Sequence, residues 1–449
     1  MRTVNAKGSA KRLSPAILAA SLILLGWTGG VSAQVSSSDT AAGYVVLPKV
    51  VVHTTGGDPA VANPGGTAVD TLIQFTNVNQ GEAITADCWW VNANKHCGTD
   101  MGPICGTNAD CLPGLQCVQG WTVLDFQVTL SPGQPIGFLA SSGLNPLPCD
   151  ATFPGVGCRG RCSGGADDGD PCGGGSPLCS APGFCKSAEG AVRPVPEDPF
   201  RGELKCLQVD ENDIPVDQND LKIEATIVST TVGGGTATTA ASYNGVGFVS
   251  TASGTGLGAD PICLGSLPLG STADCAGTYA PCPSVLQVEH FFDGATTELG
   301  SVVTTDLTLV PCSENLGVPA AQLGLTVTAN MLVYNEFEQR FSTNSRVQCY
   351  QSTRLSDIDT QPGPAGDAYS LFSVGVEGTI TGQTRIRGIQ GPQGELGYGL
   401  TGVACENHSL AAGSQTLATT AFNLQHVGFR EGGDAVYRTQ FPPPPTPGP

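Results

Sequence analysis

The dominant pattern along the chain is an alternation of apolar and polar residues over short segments. Apolar residues take every second position in 126–130, 221–227 and 325–331. This period of two turns one face of a strand toward a core and the other toward water. A mostly apolar run at 44–53, interrupted by Lys49 and ending in His53, is typical instead of a fully buried strand. Gly, Pro, Asn and Asp separate these segments, and no amphipathic helix pattern occurs after residue 33. The sequence therefore predicts an all-β fold of sandwich or barrel type.

Several segments recur in the same order in the two halves of the chain. The matched pairs are 44–57 with 301–315, 71–90 with 331–350, 123–127 with 355–359, and 240–248 with 419–429. In the last pair Asn244 and Asn423 are equivalent. The shared order predicts two tandem related β-sandwich domains, at 44–250 and 301–441, joined by a cysteine-containing segment at 251–300. The alternative is that β-domains of similar composition simply look alike.

The first predicted domain carries most of the cysteines. Of the 18 in the chain, 12 lie between Cys88 and Cys206. Such a density is typical of domains that use disulfides in place of a large core. We therefore predict a disulfide-rich insertion at about 97–200, with two small cysteine knuckles at 100–117 and 167–185. With its cysteine spacing and alternating strands, the chain resembles secreted cysteine-rich β-sandwich proteins of Gram-negative bacteria, a likeness that implies a compartment but no activity.

The beginning of the chain has the composition of an export signal. Residues 1–12 hold four basic residues and no acid, an apolar run follows, and small residues end at Ala33. This pattern predicts a signal peptide at 1–33 and a polar spacer at 34–43, with secretion to the periplasm or the extracellular space. Export explains the even number of cysteines as disulfides. No later apolar stretch is long enough for a membrane span, and the chain closes with a proline-rich tail at 442–449.

Charge and motifs narrow the function. With 20 Lys+Arg against 39 Asp+Glu, the net charge of -19 excludes nucleic-acid binding through a broad basic face. No zinc site is expected, because the chain has no C-x2-C pair. No catalytic motif is present, so no catalytic residue is assigned. His290 lies between Glu289 and Asp293, an arrangement that fits either an acid/base pair or, as we favour, a structural histidine.

An acidic loop at 209–225 offers the oxygen ligands that Ca²⁺ prefers. The candidate ligands are Asp210, Asn212, Asp213, Asp217, Asn219 and Asp220. The alternative, which the sequence favours, is a loop whose Asp and Asn side chains cap their own backbone. Calcium is the one candidate cofactor, and none other is predicted.

Trp89 and Trp90 stand together in a chain with few aromatic residues. Neighbouring residues of a strand point to opposite faces, so one tryptophan is expected in the core. The other is expected to be exposed, where it can stack on a sugar or a peptide, or to be covered by the insertion. This pair is the basis for an alternative function, a carbohydrate-binding module.

These observations favour a secreted, non-catalytic structural or binding protein of the cell envelope or extracellular space, with an envelope protein or a glycan as partner. A second alternative is a hydrolase whose acidic residues come from distant strands and leave no local motif.

The matched segments place Cys88 and Cys349 at equivalent strand ends and predict two disulfides, Cys88–Cys206 and Cys349–Cys405. The other ten cysteines of the insertion are expected to pair among themselves. Two further bridges are expected among Cys263, Cys275, Cys282 and Cys312.

Overall fold

The computed structural model describes most of the chain from residue 39 onward. The described residues are 39–54, 67–99, 102–119, 122–144, 160–163, 171–172, 184–187, 192–231, 237–253, 261–265, 275–283, 285–312, 316, 326–362, 368–374, 379–389, 399–410, 416–428, 437–439 and 441. The predicted signal peptide, the proline-rich tail and most of the second knuckle lie outside these residues.

The described residues form β-strands joined by turns and loops. The first strands are β1 (Tyr44–Val52), β2 (Thr67–Asn77), β3 (Ile84–Asn92), β4 (Lys95–Cys97), β5 (Cys117–Gln119), β6 (Val123–Leu130) and β7 (Pro135–Leu139). They are followed by β8 (Gly160–Ser163), β9 (Pro171–Cys172), β10 (Phe184–Ser187), β11 (Phe200–Val209), β12 (Leu221–Thr231), β13 (Ala237–Asn244) and β14 (Val246–Phe248).

The remaining strands belong to the second part of the chain. They are β15 (Ser250–Ser253), β16 (Ile262–Leu264), β17 (Gly277–Tyr279), β18 (Val285–Phe291), β19 (Val302–Pro311), β20 (Thr326–Asn335), β21 (Arg340–Gln348) and β22 (Gln351–Arg354). The last are β23 (Thr360–Pro362), β24 (Ala368–Ser370), β25 (Thr381–Ile389), β26 (Leu400–Ser409), β27 (Thr416–Asn423), β28 (Gln425–Gly428) and β29 (Tyr437–Thr439). Within the described residues the helical structure is limited to single 3₁₀ turns at Asn108–Asp110 and Leu355–Asp357, so the all-β prediction is confirmed.

Two larger sheets form the body of the first half, beside a three-stranded sheet (β10-β8-β9) and a two-stranded sheet (β4-β5) in its cysteine-rich part. The first five-stranded sheet has the order β14-β1-β11-β3-β6, and the first four-stranded sheet has the order β13-β12-β2-β7. Alternate residues of both sheets meet in one buried cluster, the first core, to which β6 contributes Phe126, Val128 and Leu130. The alternation at 221–227 also faces this core, through Leu221, Ile223 and Ala225. The period-two pattern thus identified the buried faces of these strands.

Two further sheets follow in the second half. The second five-stranded sheet has the order β21-β20-β25-β18-β28, and the second four-stranded sheet has the order β22-β19-β26-β27. Their apolar residues form the second core, where Val327, Ala329 and Met331 of β20 face Leu307 and Leu309 of β19. The alternation at 325–331 therefore also lies on a strand with one buried face.

A third cluster, the joint core, connects the two halves. It includes Tyr44 and Val46 from the back of the first five-stranded sheet, together with Cys312 of the second half. A four-stranded joint sheet, with the order β15-β17-β16-β29, packs into the same cluster. Burial on both faces explains why β1 is apolar at every position except Lys49. Because Val403 of β26 reaches the first core, the sheets do not separate clearly into two tandem sandwiches.

The two halves nevertheless share one sheet topology. Nine strands of the first half each have a counterpart in the second half, in the same chain order. The first set is β1, β2, β3, β6, β7, β11, β12, β13 and β14, and its counterparts are β18, β19, β20, β21, β22, β25, β26, β27 and β28. Replacing each strand by its counterpart converts the order of the first five-stranded sheet into that of the second, and the order of the first four-stranded sheet into that of its counterpart. Nine strands therefore take equivalent places in the two halves.

This equivalence corrects three of the four segment matches made from the sequence. The match of 44–57 with 301–315 pairs β1 with β19, whereas the topology pairs β1 with β18. The match of 71–90 with 331–350 is displaced by one strand in the same way, and 123–127 corresponds to β21 rather than to 355–359. The fourth match is correct, because it aligns β13 and β14 with β27 and β28. Alternating strands of similar composition cannot be told apart by sequence, which is why three of the matches were displaced by one strand.

The topology also changes two boundaries. The segment 251–300, expected to lie between the domains, contains β18, which is a member of the second five-stranded sheet. The predicted insertion at about 97–200 contains β6 and β7, which belong to the two sheets of the first half. The cysteine-rich material therefore forms two separate loops, one between β3 and β6 and one between β7 and β11.

Candidate functional site

Both cysteine-rich loops leave the first half at the same end. In the first five-stranded sheet, Val91 of β3 lies beside Glu203 of β11 and Val123 of β6. The end of β3 and the starts of β6 and β11 therefore share one edge. Ala140, directly after β7, donates its backbone N–H to the carbonyl of Thr71, whose hydroxyl also bonds to the backbone of β1 near its end. We call this edge the disulfide-rich end.

Two interleaved disulfides close the first knuckle, which was predicted at 100–117 and is extended by Cys97 to residues 97–117. They are Cys97–Cys111 and Cys105–Cys117, with Cα–Cα distances of 5.4 and 5.9 Å. The Asp110 carboxylate accepts the backbone N–H groups of Gly106 and Thr107 at 2.9 and 2.7 Å, and these bonds lower the pKa of Asp110. For these four cysteines, the prediction that the insertion pairs within itself is confirmed.

The tip of this knuckle exposes two leucines. Leu112 is 75% exposed and Leu115 is 44% exposed, on either side of a turn at Gly114. Gly114 has a φ of +93°, which an L-residue with a side chain rarely adopts. Leu115 also covers Gly98, where an added Cβ would lie 3.1 Å from the Leu115 side chain. The tip therefore presents apolar surface from a backbone that its glycines and disulfides hold in place.

A polar cluster binds the first knuckle to the segment that leads into β11. The Glu197 carboxylate accepts hydrogen bonds from Asn92 at 2.5 Å, from Asn94 at 2.7 Å and from buried His96 at 3.0 Å. Burial alone raises the pKa of Glu197, but the hydrogen bonds from these three side chains hold it below its ordinary value. We call these four residues the Glu197 clamp, which ties together the ends of the two cysteine-rich loops.

The two tryptophans do not form a ligand-stacking site. Trp90 is fully buried in the first core and donates its indole N–H to the carbonyl of Arg193 at 2.9 Å. Trp89 points to the opposite face, as predicted, but is only 6% exposed. Phe441 stacks on it with a centroid distance of 4.0 Å, and the joint core surrounds both rings. Among the described residues, the ring stacked on Trp89 comes from the C-terminal segment.

The acidic loop is organised by hydrogen bonds rather than by converging carboxylates. The Asp210 carboxylate accepts the backbone N–H groups of Asn212 and Ile214 at 2.8 and 3.0 Å, and the bond from Ile214 is the main cause of its lowered pKa. Asp213, with a φ of 60°, accepts a hydrogen bond from Gln127 at 3.0 Å. This arrangement matches the self-capping loop that the sequence favoured.

The remaining candidate calcium ligands point to different neighbours. Asn219 bridges two segments, because its side-chain oxygen accepts the backbone N–H groups of Gly43 and Ser250 at 3.0 and 2.6 Å. Asp220 accepts a hydrogen bond from Asn79 at 3.1 Å, while Asp217 contributes to no shared site with them. Throughout the described residues, the group of three candidate metal ligands within 4.8 Å of one another consists of disulfide-bonded cysteines: Cys97, Cys105 and Cys111.

His290 is a structural residue of the second five-stranded sheet. Its ring nitrogens lie 3.1 Å from the carbonyl of Phe291 and 2.8 Å from the hydroxyl of Thr384. Burial lowers the pKa of His290 to about 4, so the ring is neutral near pH 7. Asp293 does not contact it, because its carboxylate accepts the backbone N–H groups of Thr305 and Ser356 at 2.7 and 2.8 Å. The acid/base alternative therefore loses Asp293 as a partner.

An open groove passes over His290 and is lined by three glutamates, Glu289, Glu336 and Glu406. Glu336 accepts the backbone N–H groups of Ile380 and Thr381, at 2.7 and 3.2 Å. Glu406 forms an ion pair with His408 at 2.9 Å. Two of the three carboxylates are thus occupied by neighbouring groups, which leaves a poor basis for acid/base catalysis in the groove.

The predicted cysteine pairs have different outcomes. Cys88–Cys206 is formed across β3 and β11, where the two residues are directly opposite and their Cα atoms are 4.1 Å apart. Cys349–Cys405 is wrong, since both are buried free thiols. The cause is that the sequence match was displaced by one strand, because β3 corresponds to β20 whereas Cys349 follows β21. Of the four remaining cysteines of the second part, Cys263 and Cys275 form a bridge, and Cys282 and Cys312 are free thiols.

A buried ion pair lies beside Cys349. Lys205 and Glu203, both on the back face of β11 and at most 1% exposed, have their charged atoms 3.4 Å apart. Burial raises the pKa of Glu203 to about 7 and that of Cys349 to about 12. The thiol of Cys349 is therefore protonated and a poor nucleophile at neutral pH.

Sequence reasoning missed the Glu197 clamp and the cover of Trp89. A signal for the clamp was present, since Asn92, Asn94 and His96 alternate directly after the apolar β3. Their shared acceptor lies about a hundred residues later, beyond any local pattern.

No protein-family model matches the chain, and no curated protein matches it. Within the described residues, no helix is long and apolar enough to cross a membrane.

Proposed function

We propose that the chain is a secreted, non-catalytic binding or structural protein that contacts its partner through the disulfide-rich end of the first half. The partner is an envelope protein or a glycan. The observation that carries this proposal is the convergence of both cysteine-rich loops on one end. Loops at one end of a β-scaffold are a common place for recognition, because the sheets hold them in position.

The geometry of that end supports a binding role. The first knuckle is closed by two disulfides and tied to the second loop by the Glu197 clamp, so ordering costs on binding are small. Leu112 and Leu115 provide apolar contact surface at its tip. Exposed apolar surface on a rigid loop is typical of a site that is covered by a partner of matching shape.

We also propose that the chain consists of two related β-sandwich domains produced by tandem duplication. The identical order of nine strands in each half supports this, as does the placement of each pair of sheets around its own core. Asn244 and Asn423 end equivalent strands and meet directly, since the Asn423 side chain donates a hydrogen bond to the Asn244 carbonyl at 2.5 Å.

The enzymatic and tryptophan-based alternatives have less support. The His290 ring, the Asp293 carboxylate and both tryptophans are occupied in packing or hydrogen bonds. Calcium binding stays a prediction from sequence, without converging carboxylates to support it.

Binding of the purified protein to a glycan array and to a panel of envelope proteins tests the proposed function. We expect binding that is lost in L112S/L115S and retained in the control L299S, because Leu299 is 96% exposed in the second half. A parallel hydrolase screen should show no turnover. Turnover abolished by one of E289Q, E336Q or E406Q would overturn the non-catalytic role.

A further inference from the structure

Two buried cysteines meet in the joint core. Cys282 precedes β18 between two prolines, and Cys312 follows Pro311 at the end of β19. They are 5% and 0% exposed, and both belong to the joint core. They therefore stand where the second half begins to pack against the back of the first five-stranded sheet.

The backbone holds the two residues against each other. The N–H of Cys312 donates to the carbonyl of Gly399 at 3.0 Å. Cys282 packs against the same glycine so closely that a Cβ added there would lie 2.2 Å from the Cys282 Cβ and 3.1 Å from its Sγ. The two thiols are in hydrogen-bonding contact with each other.

The other free thiols have different neighbours. Cys349 faces the charges of Glu203 and Lys205. Cys405 lies against Lys49, which is buried and donates its backbone N–H to the Tyr243 hydroxyl at 3.1 Å. Among the described residues, Cys282, Cys312 and Cys349 do not form a three-ligand metal group. A covalent bond between Cys282 and Cys312 is the simplest use of their contact.

We propose that Cys282 and Cys312 form a structural disulfide in the secreted protein, a step that rests on the proposed export. The oxidant is a disulfide, of a small molecule or of an exchange enzyme. Both S–H bonds break and one S–S bond forms, while the two protons and two electrons convert the oxidant into two thiols. The bridge links the chain before β18 to the end of β19, and it closes before the joint core excludes the oxidant.

Peptide mapping of the full chain, purified from the secreting cell and alkylated without reduction in denaturant, tests this bridge. We expect the Cys282 and Cys312 peptides to be linked, with Cys349 and Cys405 alkylated. Alkylation of Cys282 and Cys312 in protein whose Cys88–Cys206 bridge is intact would overturn the proposal, as would a Cys312–Cys349 link. If every bridge is reduced, export is wrong. The chain is then unfolded and refolded in the presence of oxidised glutathione, and formation of the bridge supports the pairing while its failure overturns it.

Variants give a second readout. C282S/C312S should melt at least about 3 °C lower than the wild type in the unreduced state and no lower after both are reduced. The matched control C349S/C405S removes two buried thiols that do not touch each other, so its melting temperature relative to wild type should be independent of reduction. An equal dependence on reduction in both double variants would contradict the bridge.

Discussion

The two halves of the molecule share one strand order but hold their five-stranded sheets by different means. In the first half, the Cys88–Cys206 disulfide joins β3 to β11 on the face toward the core. In the second half, the equivalent strands β20 and β25 place Met331 opposite Ile386, an apolar pair in the second core. The comparison teaches that the topology does not require the covalent link, because apolar packing occupies the corresponding face.

The connections explain why the first half carries the link. Its β3–β6 and β7–β11 loops span 93–122 and 140–199, whereas the equivalent connections β20–β21 and β22–β25 span 336–339 and 355–380. Longer loops cost more conformational entropy on closure. A disulfide between the strands that flank both loops offsets part of that cost through the unfolded state.

The largest expected effect tests the role of this disulfide. C88A/C206A should lose about 4–5 kcal/mol of unfolding free energy, since the bridge closes a loop of more than a hundred residues. Urea unfolding followed by tryptophan fluorescence measures the loss, because Trp89 and Trp90 lie in the first half. The control M331A removes packing in the second half without a covalent link. A loss below about 1 kcal/mol in C88A/C206A would refute the entropic account.

The next effect concerns the contact between the halves. Phe441 is 1% exposed and stacks on Trp89, so F441A should cost about 3–5 kcal/mol and shift the tryptophan emission. F337A is a matched control, because Phe337 is 58% exposed and its loss should cost less than about 0.5 kcal/mol. Similar stabilities for the two variants would show that Phe441 does not occupy the joint core in solution.

A third prediction concerns how the stability of the second half depends on pH through His290. His290 has a folded pKa of about 4, below the unfolded value of 6.5, so the unfolded state binds the proton more readily. Its contribution to stability is therefore complete above pH 6.5 and is lost as the pH falls toward 4, by about 3 kcal/mol. Asp293, with its pKa raised by burial to about 6, acts in the opposite direction by losing stability as the pH rises through that range.

Comparison with H290Q isolates the histidine from the other titrating groups. The advantage of wild type over H290Q, measured by urea unfolding with circular dichroism, should shrink by about 3 kcal/mol between pH 7 and pH 4. An advantage that does not depend on pH would show that the ring is not held neutral in the folded protein.

The smallest effect concerns the acidic loop. Because the side chains of Asp210, Asp213 and Asp220 bond to different neighbours, millimolar Ca²⁺ should leave the melting temperature unchanged. A clear rise with Ca²⁺, absent in D210N/D213N, would revive the calcium site and show that the loop rearranges around the ion.

The sequence predicted the strands better than their partners. Alternation identified the buried faces of β6, β12 and β20, because period-two patterning follows directly from strand geometry. The same uniformity made neighbouring strands interchangeable, so three of the four segment matches were displaced by one strand relative to the shared strand order. The pairing of Cys349 with Cys405 failed for this reason, whereas Cys88–Cys206 rested on positions within one half.

The candidate site was harder to predict because its contacts join distant segments. The sequence does not tell which of Trp89 and Trp90 faces away from the first core, and the burial of Trp89 depends on Phe441 and the joint core, which come from distant segments. The Glu197 clamp likewise unites residues on two loops that are separated by β6 and β7. The recognition of one end as the site of both loops required the strand register.

The central claim is that only the first half has been elaborated into a contact surface. Site-specific photo-cross-linking in the producing cell tests it most directly, with the cross-linker placed at Leu112 or Leu115 and, as an exposed control position of the second half, at Leu299 in the β18–β19 connection. The account predicts a cross-linked partner from Leu112 and Leu115 and none from Leu299. Cross-links from Leu299 alone, or from none of the three positions, would contradict it.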